Sequence, residues 1–246
     1  MAEPQALAPL TDASAPHALA DDLRGAARRM RNAAARAAAP ARVAVLLPCY
    51  NEAATIARVV ADFRAALPAA RICVFDNASG DGTGEAARAA GAEVFFVAAR
   101  GKGNVVRAMF ADVDADVYVM ADGDGTYDAA SAPRLVAAVL DDRVDMAVGA
   151  RENVHVEAHR PGHAFGNRLF NRLYGWLFGA VYGDIFSGFR AFSRRFVKSF
   201  PALSQGFEIE TELCVHASQM KLATVEIATP YGKRVEGSAS KRSSHR

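Results

Sequence analysis

Hydrophobic residues along the chain fall into short runs that polar and glycine-rich turns separate. Most runs have the length of a strand, and a stretch with helical spacing of apolar positions follows several of them. Strands are predicted at Val43–Leu47, Arg71–Phe75, Glu93–Val97, Val117–Met120, Val144–Val148 and Thr224–Ala228. Helices are predicted at Ala53–Leu67, Glu85–Ala90, Gly101–Val113, Ala164–Tyr182 and Phe207–Ala217. The regular alternation from Arg42 to Gly149 is typical of an α/β fold with a mostly parallel sheet and helices on both faces.

The two ends of the chain differ in composition from this alternating block. Residues 1–40 are rich in Ala, Pro and Arg with few large apolar side chains, so we predict a mobile leader. An ordered domain is predicted over residues 41–232. Residues 233–246 form a basic tail, which is typical of a solvated end but also suits phosphates or an anionic membrane surface.

One predicted helix has an unusual composition. Ala164–Tyr182 interleaves large aromatic residues with Arg168 and Arg172. Basic residues beside aromatic ones are typical of a helix that lies in a membrane interface. A helix packed on the sheet fits the same pattern, so both interpretations stay open.

The bulk composition narrows the class of protein. With 246 residues, 51% hydrophobic and 23% charged, the chain has the composition of an ordinary globular protein. A net charge of +2 is too small to indicate a nucleic-acid partner. Three scattered cysteines fit neither a disulfide framework nor a CxxC metal site, and reduced cysteines are typical of a cytosolic protein. The sequence shows neither the apolar stretch of a secretory signal nor a run long enough to span a bilayer.

Polar side chains follow three of the predicted strands at the point where each strand ends. The pairs are Asn51 with Glu52, Asp76 with Asn77, and Asp122 with Asp124. The carboxyl ends of parallel strands meet at one edge of a sheet, where open α/β folds bind their ligands. We therefore expect these three pairs to converge on one site.

The acidic turn after Val117–Met120 is the strongest single candidate for chemistry. One glycine separates Asp122 from Asp124, and hard oxygen ligands of this kind suit Mg²⁺ or Mn²⁺ on a substrate's phosphates. Asp and Gly are also common in solvated turns. By itself, the turn is compatible with a metal site and with a plain surface loop.

Two glycine-rich stretches resemble phosphate-binding loops only superficially. The glycines of residues 79–84 have the wrong spacing for a dinucleotide-binding turn, and Asp76 and Asp81 would repel a pyrophosphate. Asp76 suits ribose hydroxyls or a base edge better. Residues 101–103 lack the rest of a Walker A loop.

Three histidines, His155, His159 and His163, recur at every fourth residue, which on a helix would stack three metal ligands. Pro161 and Gly162 interrupt such a helix, so we predict a mobile polar loop over the active site rather than a zinc site. The GxSxG motif of serine hydrolases does not occur.

Several short motifs follow one another in a fixed order between Val43 and Lys241. They are Pro48–Glu52, Asp76–Ser79 with Asp81–Thr83, Gly101–Gly103, Asp122–Asp124, Gly149–Arg151, Asp184 with Ser187–Arg190, Gly206–Glu210, and Arg234–Gly237 before Ser240 and Lys241. In this order they resemble family 2 glycosyltransferases, and most closely the polyprenyl-phosphate branch with dolichol-phosphate mannose synthase and bacterial undecaprenyl-phosphate sugar transferases. The resemblance implies a GT-A fold: a mostly parallel, twisted sheet flanked by helices, with a Rossmann-like nucleotide-binding half.

The same resemblance assigns the residues that bind the donor. The candidates are Pro48, Tyr50, Glu52, Asp76, Asn77 and Lys102. The family usually has Asp at the second position of the pair that follows this strand, whereas this chain has Asn77. The resemblance therefore does not establish a contact between Asn77 and the base. Gly125 and Thr126 replace the Leu-Gln that follows the metal turn in the mannose synthases, so the resemblance does not identify the sugar.

The resemblance also implies a metal site and a set of phosphate ligands. Asp122 and Asp124 would hold Mg²⁺ or Mn²⁺ on the diphosphate, and Arg151 and Arg234 would serve donor or acceptor phosphates. Apart from the resemblance, Arg190 is a further cationic residue that could face an anion. Asp184 is a candidate for orienting the acceptor or acting as a base, although a turn carboxylate fits its position equally well. The candidate catalytic residues are Asp124, Asp184 and Arg151.

The implied activity is inverting transfer of a hexose from a nucleotide-diphosphate sugar to a polyprenyl phosphate. We expect a cytoplasmic protein, peripheral at the inner face of the membrane, or a shortened relative of forms that carry membrane helices. Transfer to a saccharide or another soluble hydroxyl acceptor stays open. A homo-oligomer and a non-catalytic protein that only binds sugar nucleotides stay open as well, whereas no nucleic-acid partner is expected.

Overall fold

A computed structural model describes residues 40–152 and 183–232. Several predicted features lie outside these described residues: the leader up to residue 39, the helix Ala164–Tyr182, the histidines His155, His159 and His163, and the basic tail with Arg234.

A seven-stranded sheet forms the centre of the described part of the chain. Its strands are β1 (Val43–Cys49), β2 (Arg71–Asp76), β3 (Glu93–Phe96), β4 (Val117–Met120), β5 (Met146–Arg151), β6 (Arg190–Ser193) and β7 (Thr224–Thr229). Their order across the sheet is β3-β2-β1-β4-β6-β5-β7. Of the described strands, β6 alone runs antiparallel to its neighbours, and every other pairing is parallel. The predicted α/β fold with a mostly parallel sheet is confirmed.

Helices cover both faces of this sheet, as the alternating pattern predicts. They are α1 (Ala53–Ala66), α2 (Thr83–Ala89), α3 (Lys102–Asp112), α4 (Ala132–Leu140), α5 (Arg194–Ser199) and α6 (Ile209–Gln219). One apolar cluster includes α1, α2 and α4, and the other includes α3, α5 and α6. Successive residues of β1 alternate between them, so Leu46 packs in one cluster and Leu47 in the other. A strand buried on both faces needs the continuous apolar run that β1 has.

Pro48 lies near the carboxyl end of β1. Leu46 O accepts from Ala121 N, so the backbone of Leu46 faces β4, and alternation turns Pro48 to the same side. The register of β4 against β1 ends at Leu46 and Met120. Pro48, which has no N–H to donate, therefore lies beyond the end of β4, where no partner strand requires one.

Three elements were not predicted from the sequence: β6, α4 and α5. β6 has four residues and begins with an arginine, so its hydropathy resembles that of a loop. α4 did carry signals, because Pro133 lies in its first turn and Leu135, Val136 and Val139 have helical spacing.

Two expectations from composition can be compared with the structure. Cys49 and Cys73 are buried, as predicted for core residues, and Cys214 is buried as well. Within the described ranges, no helix is both long and apolar enough to cross a membrane.

Candidate active site

The loops after β1 and β2 are joined by hydrogen bonds at the carboxyl edge of the sheet. Asn51 N donates to Ser79 Oγ at 3.0 Å, and Asn51 Oδ1 accepts from Gly80 N at 2.9 Å. Asn51 has a φ of 53°, a left-handed conformation that Asn adopts more readily than most residues. The two polar clusters therefore meet, as the sequence predicts.

Asp81 links the N-termini of α1 and α2 within this loop pair. Its Oδ2 accepts from Ala53 N at 3.0 Å, and its Oδ1 accepts from Thr83 N at 3.0 Å and Thr83 Oγ1 at 2.5 Å. Burial opposes the charge of Asp81, but the hydrogen bonds from Thr83 and the backbone outweigh it and lower its pKa. Asp81 thus satisfies the first backbone N–H of both helices, whose N-cap residues are Glu52 and Gly82.

Three predicted donor-binding residues lie at this edge or just behind it. Tyr50 and Asp76 are half-buried, whereas Pro48 is buried inside β1. The Arg100 guanidinium lies 4.1 Å from the centre of the Tyr50 ring, which is a cation–π contact. Asp76 Oδ1 accepts from Ser79 N at 2.9 Å and so helps to fix the loop.

Asn77 uses its side chain to hold the segment that leads into α3. Its Nδ2 donates to Val97 O at 2.9 Å and Ala99 O at 2.7 Å, and its Oδ1 accepts from Gly101 N at 2.9 Å. All three hydrogen bonds go to backbone groups, which is a structural role. A contact between Asn77 and a nucleotide base stays a prediction.

The acidic turn follows β4 directly, and its carboxylates are largely withdrawn from solvent. Asp124 is 3% exposed, and the side chain of Asp122 is 16% exposed. Asp124 Oδ1 accepts from Thr126 N at 3.1 Å and from Thr126 Oγ1 at 2.7 Å. Buried carboxylates need cationic partners or several hydrogen bonds, whereas water stabilises the carboxylates of a solvated turn. Burial therefore argues against the interpretation of the turn as a plain solvated loop.

Gly123 holds this turn against β1 and α1. A Cβ on Gly123 would overlap Cys49 Sγ and Glu52 Oε2, so only glycine fits between the two acids. Thr55 Oγ1 donates to Gly123 O at 2.8 Å. Glu52 is 1% exposed, which places a third carboxylate beside the turn.

A buried lysine lies between the acidic turn and α6. Lys102 Nζ donates to Asp122 Oδ1 at 2.9 Å and to Glu210 Oε1 at 2.5 Å. Burial by itself would lower the pKa of Lys102, but the two carboxylates outweigh it and raise that pKa above its ordinary value. Lys102 therefore keeps its charge, and two carboxylates share one ammonium.

The glycines beside Lys102 let the start of α3 approach residues 204–205. A Cβ on Gly101 would overlap Gln205 O, and one on Gly103 would overlap Ser204 O. Gly103 N donates to Gln205 O at 2.9 Å. Close packing of two backbones thus explains the Gly-Lys-Gly spacing, which is not that of a Walker A loop.

Arg151 and Asp184 form a bidentate ion pair at the end of β5. Arg151 Nε donates to Asp184 Oδ2 and Arg151 Nη2 to Asp184 Oδ1, both at 2.7 Å. Glu226 of β7 accepts a hydrogen bond at its Oε1 from the backbone N of Asp184 at 3.0 Å, which helps to hold Asp184 in place. Burial opposes the charge of Arg151, but its hydrogen bonds to Asp184 raise its pKa. Asp184 is therefore engaged by Arg151 through both oxygens.

The segment before β6 packs on the acidic turn. A Cβ on Gly188 would lie 2.9 Å from Asp122 Oδ2 and 3.2 Å from Lys102 Nζ. Gly188 N donates to Tyr127 Oη at 2.7 Å. Burial and the nearby Asp122 raise the pKa of Tyr127, so its hydroxyl stays neutral.

The position of Arg190 corrects its prediction as a residue that faces an anion. Its side chain is fully buried, with Nε donating to Ser187 O at 2.9 Å and Nη2 donating to Ile185 O at 2.6 Å and Glu210 O at 3.2 Å. The guanidinium satisfies carbonyl groups in the interior instead of lining the site. Arg234 lies outside the described residues.

The donor atoms of the turn suit a cation that a substrate helps to bind. Among residues 40–152 and 183–232, no three Asp, Glu, His or Cys side chains form a group that could hold a metal ion. Asp122 and Asp124 supply hard oxygen donors, which Mg²⁺ and Mn²⁺ prefer, and Mg²⁺ is commonly bound by one or two carboxylates plus substrate phosphates. The residues therefore fit either ion together with a diphosphate.

Three residues of this arrangement were not among the sequence candidates. They are Thr55, Tyr127 and Glu210. The signal for Glu210 was present, because it shares a helical face with the apolar residues Leu213, Cys214 and Ala217. An acid on an otherwise apolar face indicates a buried partner.

A model of the family described as "Glycosyl transferase family 2" matches residues 44–200, more than half of the chain, including the acidic turn. The chain belongs to glycosyl transferase family 2. The general activity that the sequence predicts, glycosyl transfer, is thereby confirmed.

Named relatives of this family 2 glycosyltransferase come from bacteria and an archaeon. RfbJ of Shigella flexneri is 52% identical over 123 residues, which is 48% of this chain and 95% of RfbJ. Glycosyltransferase AglJ of Haloferax volcanii is 38% identical over 208 residues, which is 81% of this chain and 66% of AglJ. An uncharacterized glycosyltransferase of Mycobacterium tuberculosis, Rv0539, is 30% identical over 196 residues, covering 79% of this chain and 87% of its own.

Solved structures share the fold. Glucosyl-3-phosphoglycerate synthase of Mycobacterium tuberculosis, solved with Mn²⁺, UDP-glucose and phosphoglyceric acid, has a TM-score of 0.66 at 24% identity. That match covers 82% of this chain and 74% of the synthase. The same synthase solved with Mg²⁺ and UDP has a TM-score of 0.65 at 25% identity, over 82% and 74% of the two chains. The GT-A fold that the resemblance implies is confirmed.

Proposed function

We propose that this glycosyltransferase moves a sugar, with inversion, from a nucleotide-diphosphate sugar to a polyprenyl phosphate at the cytoplasmic surface of a membrane. The observation that carries the donor half is the pair Asp122 and Asp124, both largely withdrawn from solvent, at the edge where the loops after β1 and β2 meet. Structural neighbours solved with UDP and Mn²⁺ or Mg²⁺ support a donor of this class and a divalent cation.

Asp122 and Asp124 are the residues that would hold the cation. When bound, Mg²⁺ or Mn²⁺ neutralises the charge that develops on the departing nucleoside diphosphate. Tyr50, Glu52 and Asp76 would orient the nucleotide from the joined loops. Lys102 adds a positive charge next to Asp122.

The ion pair between Arg151 and Asp184 favours an acceptor that is ionised before it binds. Both carboxylate oxygens of Asp184 accept hydrogen bonds from Arg151, so a proton taken from a hydroxyl would weaken this ion pair. A phosphate monoester is largely ionised at neutral pH and needs no strong base. A phosphate oxygen can attack the anomeric carbon while the bond from that carbon to the diphosphate breaks.

The acceptor is tested by comparing transfer to two kinds of molecule. The full chain, Mn²⁺ and a labelled sugar donor are incubated with a polyprenyl phosphate in detergent micelles or with phosphoglyceric acid. UDP-sugars and GDP-mannose are compared as donors. Label on the lipid supports the proposal, and label on phosphoglyceric acid alone favours the soluble-acceptor alternative. A protein that binds the donor but transfers to neither and releases no nucleoside diphosphate is the non-catalytic alternative.

The acidic turn is tested by a pair of neighbouring substitutions. Asp124→Asn should reduce turnover by on the order of 100-fold or more, because it removes a charge that acts on the reacting diphosphate. Asp128→Asn is the matched control, since the Asp128 carboxylate accepts hydrogen bonds from Ala130 N and Ser131 Oγ. It should keep turnover within about threefold, the usual small effect of a substitution away from such a site. Equal turnover of Asp124→Asn and wild type, or full activity with a chelator, would overturn the metal role.

A further inference from the structure

We infer that Glu210 is a positioning residue of the metal site and acts on Asp122 through Lys102. The inference rests on the proposed function, because it concerns the cation that Asp122 and Asp124 would hold. Glu210 lies in the first turn of α6, far from the acidic turn in sequence, and carries no role in the predictions made from the sequence.

The contacts of Lys102 give the first step of the argument. Its ammonium is 2.9 Å from Asp122 Oδ1 and 2.5 Å from Glu210 Oε1, and its side chain is 5% exposed. The side chains of Asp122 and Glu210 are 16% and 11% exposed. Little water reaches the three groups, so their mutual charges are weakly screened.

Charge balance gives the second step. With Glu210 present, the positive charge of Lys102 is divided between two carboxylates, so Lys102 offsets the charge of Asp122 only in part. Without the charge of Glu210, Lys102 would pair with Asp122 alone and would offset more of the negative charge of Asp122. A positive group close to a carboxylate lowers the pKa of that carboxylate by roughly 1–3 units, because it opposes the binding of a proton. The same positive group opposes the binding of a divalent cation.

The packing around Lys102 gives the third step, because it restricts where the ammonium can go. Gly188 lies over it, at 3.2 Å from Nζ to the position of an added Cβ. Gly101 and Gly103 let the start of α3 pack closely on residues 204–205, which lie a few residues before α6. Arg190 Nη2 donates to Glu210 O at 3.2 Å and fixes the start of α6. The geometry therefore holds Glu210 and Asp122 on either side of Lys102.

The test measures Mn²⁺ binding, by the loss of the free-ion signal in electron paramagnetic resonance, with and without UDP. We expect Glu210→Gln to weaken Mn²⁺ binding by roughly tenfold, the lower end of the effect of one neighbouring charge on a carboxylate. The double variant Lys102→Met with Glu210→Gln should bind Mn²⁺ within about threefold of wild type when UDP is absent, because the uncompensated ammonium is gone. Glu208→Gln is the matched control, since it removes one exposed acid from the same helix end.

Each outcome separates one explanation from another. Wild-type affinity in Glu210→Gln overturns the inference while the metal site stands. Weak binding in both Glu210→Gln and the double variant shows that Glu210 does not act through Lys102, and it overturns the inference too. A wild-type protein that binds Mn²⁺ neither alone nor with UDP removes the metal site itself, and the metal part of the proposed function falls with it. Far-UV circular dichroism and thermal midpoints establish that each variant is folded.

Discussion

Small residues decide how closely the charged groups of the site approach one another. Gly123 leaves no room for a Cβ beside Cys49 Sγ and Glu52 Oε2, and Gly188 lies against Asp122 and Lys102. A side chain at either glycine would displace the acidic turn from its surroundings. The glycines of the motifs therefore position the site as much as the acids do.

Gly103 offers a prediction in which two effects oppose each other. Alanine is favoured over glycine inside a helix by about 1 kcal/mol. At this position, however, a Cβ would overlap Ser204 O, which is backbone and cannot rotate away. We expect overpacking to win, with Gly103→Ala less stable by about 2 kcal/mol in urea unfolding.

Gly80→Ala is the control for this substitution. No atom lies within 4 Å of a Cβ on Gly80, so its stability should change by less than about 0.5 kcal/mol. A Gly103→Ala protein as stable as Gly80→Ala would show that residues 204–205 move away without cost.

Residue types could be predicted from the sequence, but their partners often could not. Asp122 and Asp124 were identified because their turn stands in an ordered series of motifs that resembles family 2 glycosyltransferases. Arg190 was misjudged because the carbonyl groups of Ile185, Ser187 and Glu210 that it satisfies are brought together only by tertiary packing. No spacing in the sequence shows that an arginine will be turned inward.

At the scale of elements, the parallel half of the sheet could be predicted and the rest could not. From β1 to β4, polar residues follow three of the strands and a helix follows most of them, and parallel pairing follows from that alternation. β6 lies between β4 and β5 although it follows both in sequence. Such an insertion depends on a long connection, and neither periodicity nor turn residues determine where its far end pairs.

Asp81 provides a prediction at this scale, because one carboxylate accepts from the first backbone N–H of both α1 and α2. Asp81→Ala should lower the free energy of unfolding at pH 7 by about 1.5 kcal/mol, because two hydrogen bonds at helix N-termini are lost from an exposed position. The folded state lowers the pKa of Asp81, so its contribution is complete above the ordinary Asp pKa of about 3.9. The contribution is then lost as the pH falls through the lowered folded pKa.

Urea unfolding of both proteins at several pH values between about 7 and 3 tests the sign of this effect. The difference in stability between wild type and Asp81→Ala should be constant near neutral pH and shrink at the acid end. Asp62→Ala removes an exposed carboxylate from α1 and should show neither effect. A difference that grows toward low pH would contradict the capping role.

At the scale of the whole molecule, the proposed acceptor requires the site to meet a membrane surface. The described helices include none that could cross a bilayer. The sequence places basic residues after the domain instead, namely Lys233, Arg234, Lys241, Arg242 and Arg246. Basic residues near an anionic surface each contribute about 1 kcal/mol to binding at physiological salt.

The last prediction follows from that estimate and uses vesicles with and without anionic lipid. Replacing Lys241 and Arg242 with Gln should weaken binding of the full chain to anionic vesicles by roughly thirtyfold, or about 2 kcal/mol. Replacing Arg143 and Lys221, two exposed basic residues of the described domain, removes the same charge and should change binding much less. Because the attraction is electrostatic, added salt should weaken wild-type binding more than binding of the tail variant. Equal weakening by both pairs would mean that the net charge of the chain, rather than the tail, governs binding to anionic vesicles.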